Sequence, residues 1–71
     1  MFTIEHEFDH TVITVLDDTG DHEDLEVQFD EHTVFLRQWD EVLGLFHVIE
    51  VSLTQFEELI AALNKPEGAY R

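Results

Sequence analysis

Seventeen Asp and Glu against three Lys and Arg, on a chain of 71 residues, leave a formal net charge of −14 with the histidines neutral. Direct binding to DNA or RNA is set aside by this balance, because phosphate contacts draw on Lys and Arg, and the absence of Cys removes disulfides, thiolate zinc sites and thiol chemistry. The length allows one domain with one small core, close to the size at which a core leaves only a few kcal/mol of margin.

The chain opens with an alternation. Phe2, Ile4, His6 and Phe8 fall on one side and Thr3, Glu5 and Glu7 on the other, which predicts a half-buried strand from Phe2 to Phe8. Asp9-His10 is the expected turn, and the β-branched run Thr11 to Leu16 returns antiparallel, placing Ile13 and Val15 against the apolar side of the first strand. Asp17 to Asp24 has no periodicity and contains Gly20 among several turn formers, so it reads as a solvated loop.

The pattern then restarts. Leu25, Val27 and Phe29 alternate with Glu26 and Gln28, and a second β-branched run begins at Thr33. Phe8-Asp9-His10-Thr11-Val12 matches Phe29-Asp30-Glu31-His32-Thr33-Val34 with one insertion, which hairpin chemistry explains more simply than duplication does. A two-residue turn at Asp30-Glu31 would set Phe29 opposite His32, Val27 opposite Val34 and Leu25 opposite Leu36. Arg37 would then face Asp24 as a cross-strand ion pair. Asp40 to Gly44 reads as a short turn, and Leu45 to Val51, apolar on both sides except for His47 and Glu50, reads as a central strand.

Ser52 and Thr54 each precede a Gln or Glu by three residues, so Ser52/Gln55 and Thr54/Glu57 are alternative capping boxes for one helix. Phe56, Leu59, Ile60 and Leu63 follow at helical spacing and form a stripe expected to lie across one face of the sheet. Asn64 and Pro66 end the helix near Leu63 or Asn64. The expected architecture is an α+β domain over residues 1–66, an antiparallel sheet of four to five strands with one C-terminal helix packed on one face, and a loose tail over residues 67–71. A single helix covers only one side of such a sheet, which leaves Phe35, Trp39 and Phe46 surplus to the core. They form either a satellite cluster beneath the Asp40 to Gly44 turn or an oligomer surface, a homodimer being the simplest case.

Candidate chemistry is sparse. Five histidines among many carboxylates raise the question of a divalent metal, but His6, His10, His22, His32 and His47 fall on a strand, a turn, a loop, a second turn and an apolar strand, with no convergent spacing. The run Asp17-Asp18-Thr19-Gly20-Asp21-His22-Glu23-Asp24 invites comparison with a calcium loop, yet its Gly is fourth rather than sixth and strands rather than helices flank it. No Gly-rich phosphate loop, GxSxG or HExxH is present. The sequence therefore points away from an enzyme, and no cofactor is expected.

The acid itself is the remaining signal. Eight carboxylates fall between Asp17 and Glu31, and no Lys or Arg precedes Arg37. Such charge would mark disorder if apolar residues were scarce, but they make up 44% of the chain and recur in blocks. Glu5, Glu7 and Asp9 on one strand face would repeat every ~7 Å, a row of negative charge that a DNA-binding or RNA-binding cleft would accept, and Asp17, Asp18, Asp21, Glu23, Asp24 and Glu26 would extend it. The expected partner is thus a basic protein, or a second copy of the chain if the charge serves only solubility. Glu5, Glu7 and Asp9 stand where a secretory signal would need a basic start and an apolar run, and the longest apolar stretch, Val42 to Ile49, falls short of the roughly 20 residues that cross a bilayer. A cytoplasmic protein without membrane contact is the expectation.

The closing segment Val51-Ser52-Leu53-Thr54-Gln55-Phe56-Glu57-Glu58-Leu59-Ile60-Ala61-Ala62-Leu63-Asn64, followed by Pro66 and Gly68, resembles that of many small uncharacterised phage-encoded proteins. The resemblance implies an accessory protein that modifies host machinery by binding it. It carries no functional residue across.

Overall fold

The five patterned runs take up extended backbone as β1 (Phe2–His6), β2 (Thr11–Val15), β3 (Leu25–Phe29), β4 (Thr33–Asp40) and β5 (Leu45–Ser52), followed by α1 (Leu53–Ala62). The computed structural model describes residues 1–71. All strands belong to one sheet in the order β1-β2-β3-β4-β5, every pairing antiparallel. The fold is an α+β meander.

The first hairpin turns earlier than the alternation predicts. His6 pairs with Thr11, and the Glu7 N–H donates to the His10 carbonyl at 2.8 Å, so Glu7 to His10 form the turn. Asp9 and His10 also bond each other through their side chains at 2.7 Å, a local polar contact that competes with the strand ladder. Phe8 consequently leaves the sheet and is fully exposed.

In the second hairpin Phe29 pairs with Val34, Val27 with Leu36 and Leu25 with Gln38. The expected register is therefore wrong by two residues. The Asp30 N–H closes onto the Thr33 carbonyl at 2.9 Å, so the turn encloses Glu31-His32 and lies one residue further along the chain than expected. An even shift keeps every side chain on its expected face, but it sets Arg37 opposite Glu26 instead of Asp24. The two turns close through equivalent bonds, yet the first encloses Phe8 while Phe29 stays in its strand. The likeness of the two halves goes no deeper than hairpin chemistry.

Asp40 to Gly44 is a turn as expected, closed by the Gly44 N–H on the Asp40 carbonyl at 2.8 Å, with Gly44 at φ +67° where a side chain would be strained. β5, expected to be central, is an outer strand paired only with β4. Leu45, Val48 and Ile49 consequently stay largely exposed on it.

Of the two capping boxes the chain uses Ser52/Gln55. Ser52 Oγ accepts from the Gln55 N–H at 3.0 Å, and Gln55 Oε1 accepts from the Ser52 N–H at 3.1 Å. The Leu53 N–H donates to the His32 carbonyl at 3.0 Å, which ties the start of α1 to the β3–β4 turn. From there Phe56 meets Phe29 edge-on, ring centres 5.2 Å apart. The rest of the stripe does not lie across the sheet: Leu59, Ile60 and Leu63 remain 57%, 53% and 69% exposed.

Cross-strand pairing sorts the sheet into two faces. One carries Phe2, Ile4, Ile13, Val15, Leu25, Val27, Phe29, Val34, Leu36, Leu45, Ile49 and Val51, and is called the Phe29 face. The other, the Trp39 face, carries Glu5, Val12, Glu26, Gln28, Phe35, Arg37, Trp39, Phe46, Val48 and Glu50. The core lies on the Phe29 face beneath Phe56, and Val27 and Val34 are its only buried residues. A radius of gyration of 14.0 Å exceeds the about 11 Å of a compact chain of this length. The fold is an open one.

Candidate interaction surfaces

The acidic loop between β2 and β3 is built around one carboxylate. Asp17 accepts from the Thr19 hydroxyl at 2.9 and 3.0 Å and from the His22 N–H at 3.0 Å, while its own N–H donates to Asp24 Oδ1 at 3.0 Å. The His22 N–H is the main reason the Asp17 carboxyl sits below its ordinary value. Gly20, at φ +79°, supplies the left-handed backbone at the tip, and Gln38 Nε2 donates to the Glu23 carbonyl at 2.9 Å, which fastens the loop to β4. The carboxylates of Asp18, Asp21 and Glu23 are exposed and take no part in this bonding.

Beside the loop lies a shallow cleft lined by Gly20, Asp21, His22, Glu23, Gln38, Trp39, Asp40, Glu41 and His47. Within it His47 Nε2 and Asp40 Oδ2 are 2.7 Å apart, and the Asp40 carboxyl is held low first by the Leu43 N–H and then by His47. The pair has the form of a base and its orienting acid, but the lining contains no hydroxyl or thiol for it to activate. No three of the His, Asp and Glu side chains gather as a cation site anywhere in the molecule. The oxygens of Asp17, first in the calcium-like run, are engaged by the loop's own donors.

The expected acidic row breaks up. β1 ends at His6, so Glu5 is the only one of Glu5, Glu7 and Asp9 on a strand face, and the ~7 Å repeat has no second member there. Glu7 and Asp9 lie in the β1–β2 turn, at the same end of the sheet as the β3–β4 turn with Asp30 and Glu31. Asp17, Asp18, Asp21, Glu23 and Asp24 lie at the opposite end, beside Asp40 and Glu41. Glu26 is on the Trp39 face, engaged by Arg37 at 3.1 and 3.3 Å. At the first end Asp9 is held below its ordinary value by the hydrogen bond to His10, and the same bond raises His10. The negative charge therefore forms two rims at opposite ends of the sheet.

Trp39 and Phe46 pack edge to face with ring centres 5.0 Å apart, and the Arg37 guanidinium lies 4.1 Å over the Phe46 ring. Phe35 is half-buried on the same face opposite Glu50. Of the three residues expected to be surplus, Trp39 and Phe46 form a pair partly covered by Arg37, while Phe35 lies four residues along β4 from Trp39 and outside that pair. The more exposed apolar surface is on the other side, where Phe2, Ile4 and Ile49 stand 64%, 50% and 61% exposed. Sequence reasoning missed this because it assumed α1 would cover that face. The signal was present in β5, whose apolar residues on both sides exceed what one ten-residue helix can cover.

A family model described as a domain of unknown function (DUF8831) matches residues 3–62, from within β1 to the end of α1. The chain belongs to that family. No match was found among curated proteins or among solved structures. No helix is long and apolar enough to cross a membrane.

Proposed function

We propose that this DUF8831 domain is a non-enzymatic interaction module that receives a basic, nucleic-acid-binding protein on the rim formed by Asp18, Asp21, Glu23 and Glu41. The observation that carries this reading is the hydrogen-bonded loop: Asp17 and Asp24 spend their carboxylates on holding the backbone, which leaves Asp18, Asp21 and Glu23 exposed on an ordered frame. Pre-ordered like charges lower the entropic cost of meeting Lys and Arg side chains and steer their approach. β1 ends at His6 and supplies only Glu5, so the reading rests on the rim and not on a regular row along one strand. The resemblance of the closing segment to phage-type proteins supports an accessory role that works by binding host machinery.

Titration with a fluorescent Arg- and Lys-rich peptide tests the rim. Reversal of Asp18, Asp21 and Glu23 to Lys is expected to weaken binding by about tenfold more than reversal of Glu57, Glu58 and Glu67 to Lys, an equal change of net charge on α1 and the tail. Equal losses would mean that charge acts diffusely, and the rim would not be a site. A self-associating structural domain is the second reading. Its support is the exposed Phe29 face, which does not overlap the rim.

A further inference from the structure

The Phe29 face is apolar, exposed and almost free of charge. Phe2 and Ile4 of β1, Val15 of β2 and Leu45 and Ile49 of β5 are each more than two-fifths exposed on it, with the bare α1 stripe alongside. Of the strand carboxylates, Glu5, Glu26 and Glu50 belong to the opposite face. Only Asp40, at one end and bonded to His47, shares this one.

The exposed area is larger than a lone chain of this mass should have. The protein exposes 6107 Å² at 8.3 kDa, whereas the scaling for compact monomers gives about 4,600 Å². The excess, roughly 1,500 Å² per copy with the C-terminal residues included, is above the about 800 Å² that each partner contributes to a standard stable interface.

We propose that a second copy of this chain covers the Phe29 face in a two-fold dimer, the sheet face and α1 stripe of each copy packing on the other. Charge selects this occupant. A foreign partner drawn by −14 would be basic and would settle on the acidic rims, not on a surface whose only strand carboxylate, Asp40, is bonded to His47. Two identical chains can instead stack these faces while their acids stay at the ends of the sheets and on the outer faces, in solvent. Folding selects it as well: with only Val27 and Val34 buried, the chain needs this cover whenever it folds, and its own copy is the partner always present with it.

Light scattering on the purified chain at physiological salt tests the proposal, together with thermal unfolding over a hundredfold range of protein concentration. The expected mass is about twice 8.3 kDa, with a midpoint that rises with concentration, as dimer unfolding requires. A single-chain mass with a concentration-independent midpoint overturns it, as does an assembly of more than two chains. Ile4→Glu and Ile49→Glu, at opposite edges of the Phe29 face, are each expected to weaken pairing by about a hundredfold or more, while Val48→Glu on the Trp39 face leaves it intact. Failure of I4E or I49E to fold also supports the dimer, since both positions are at least half exposed in one copy and would tolerate Glu in a monomer. Retention of the dimer in I4E, or its loss in V48E, overturns the assignment to this face.

Discussion

The two faces of the sheet solve the problem of exposed aromatic and aliphatic residues in opposite ways. On the Trp39 face the apolar residues are few and are answered locally, Trp39 by Phe46 and Phe46 by Arg37, with Glu26 neutralising Arg37. On the Phe29 face they are many, and a single helix answers them only where Phe56 meets Phe29. A polar face can be finished within one hairpin, because cross-strand neighbours suffice. An apolar face five strands wide needs a second layer, and the chain supplies only one end of it.

Substitutions that separate the two faces should differ in size. The largest effect belongs to the core beneath Phe56: Val34→Asp buries an unpaired carboxyl where no side-chain surface reaches solvent, and the loss should be about 3 kcal/mol or more, read as loss of the folded circular dichroism signal. Next comes the contrast between adjacent β5 residues. Ile49→Glu should destabilise by about 2 kcal/mol or more in urea titrations, whereas Val48→Glu, 56% exposed on the other face, should stay within about 0.5 kcal/mol. Equal effects would erase the distinction between the faces. Arg37→Ala removes both the contact to Phe46 and the ion pair with Glu26, and should cost about 1 kcal/mol, with Arg37→Lys recovering only part because the planar fork is lost.

The smallest effects concern the rims. Asp9, Asp17 and Asp40 have lowered values, so the stability they contribute is present above the ordinary 3.8 and is lost as pH falls through their lower folded values. His10 is raised, so its contribution is full below 6.5 and disappears as pH rises through its folded value. Asp40→Asn should therefore lower the thermal midpoint slightly at pH 7, and the gap to the parent should close as the pH falls below the ordinary carboxylate range. A gap that persists in acid would show that Asp40 acts through shape alone. Added NaCl, from low to physiological ionic strength, should raise the midpoint by screening repulsion at both rims. A flat response would mean that the rims are too far apart, or too well paired, to strain the fold.

Much of this was legible from residues alone. Period-two alternation located β1 and β3, β-branched runs marked β2 and β4, an apolar run marked β5, and two alternative capping boxes bracketed the start of α1. What failed was local and has a common cause. Phe8 continued the alternation, but the bond between Glu7 and His10 turned the chain before it; Asp30 and Glu31 looked like a two-residue turn, but the Asp30 N–H reached Thr33. Alternation reports which side a residue faces, not where a hydrogen-bonded turn will interrupt it. The acidic candidates suffered the same limit: Glu5, Glu7 and Asp9 share a parity, and only the turn shows that two of them are not on a strand.

The sequence by itself determined the strand faces, the capped helix and the concentration of acid before Arg37, because each depends on spacing along the chain. Only the tertiary structure decided that β5 lies at an edge, that the acid splits into two rims, and that α1 leaves the Phe29 face open. Those outcomes depend on which strands become neighbours and how far one helix reaches, and no periodicity encodes either.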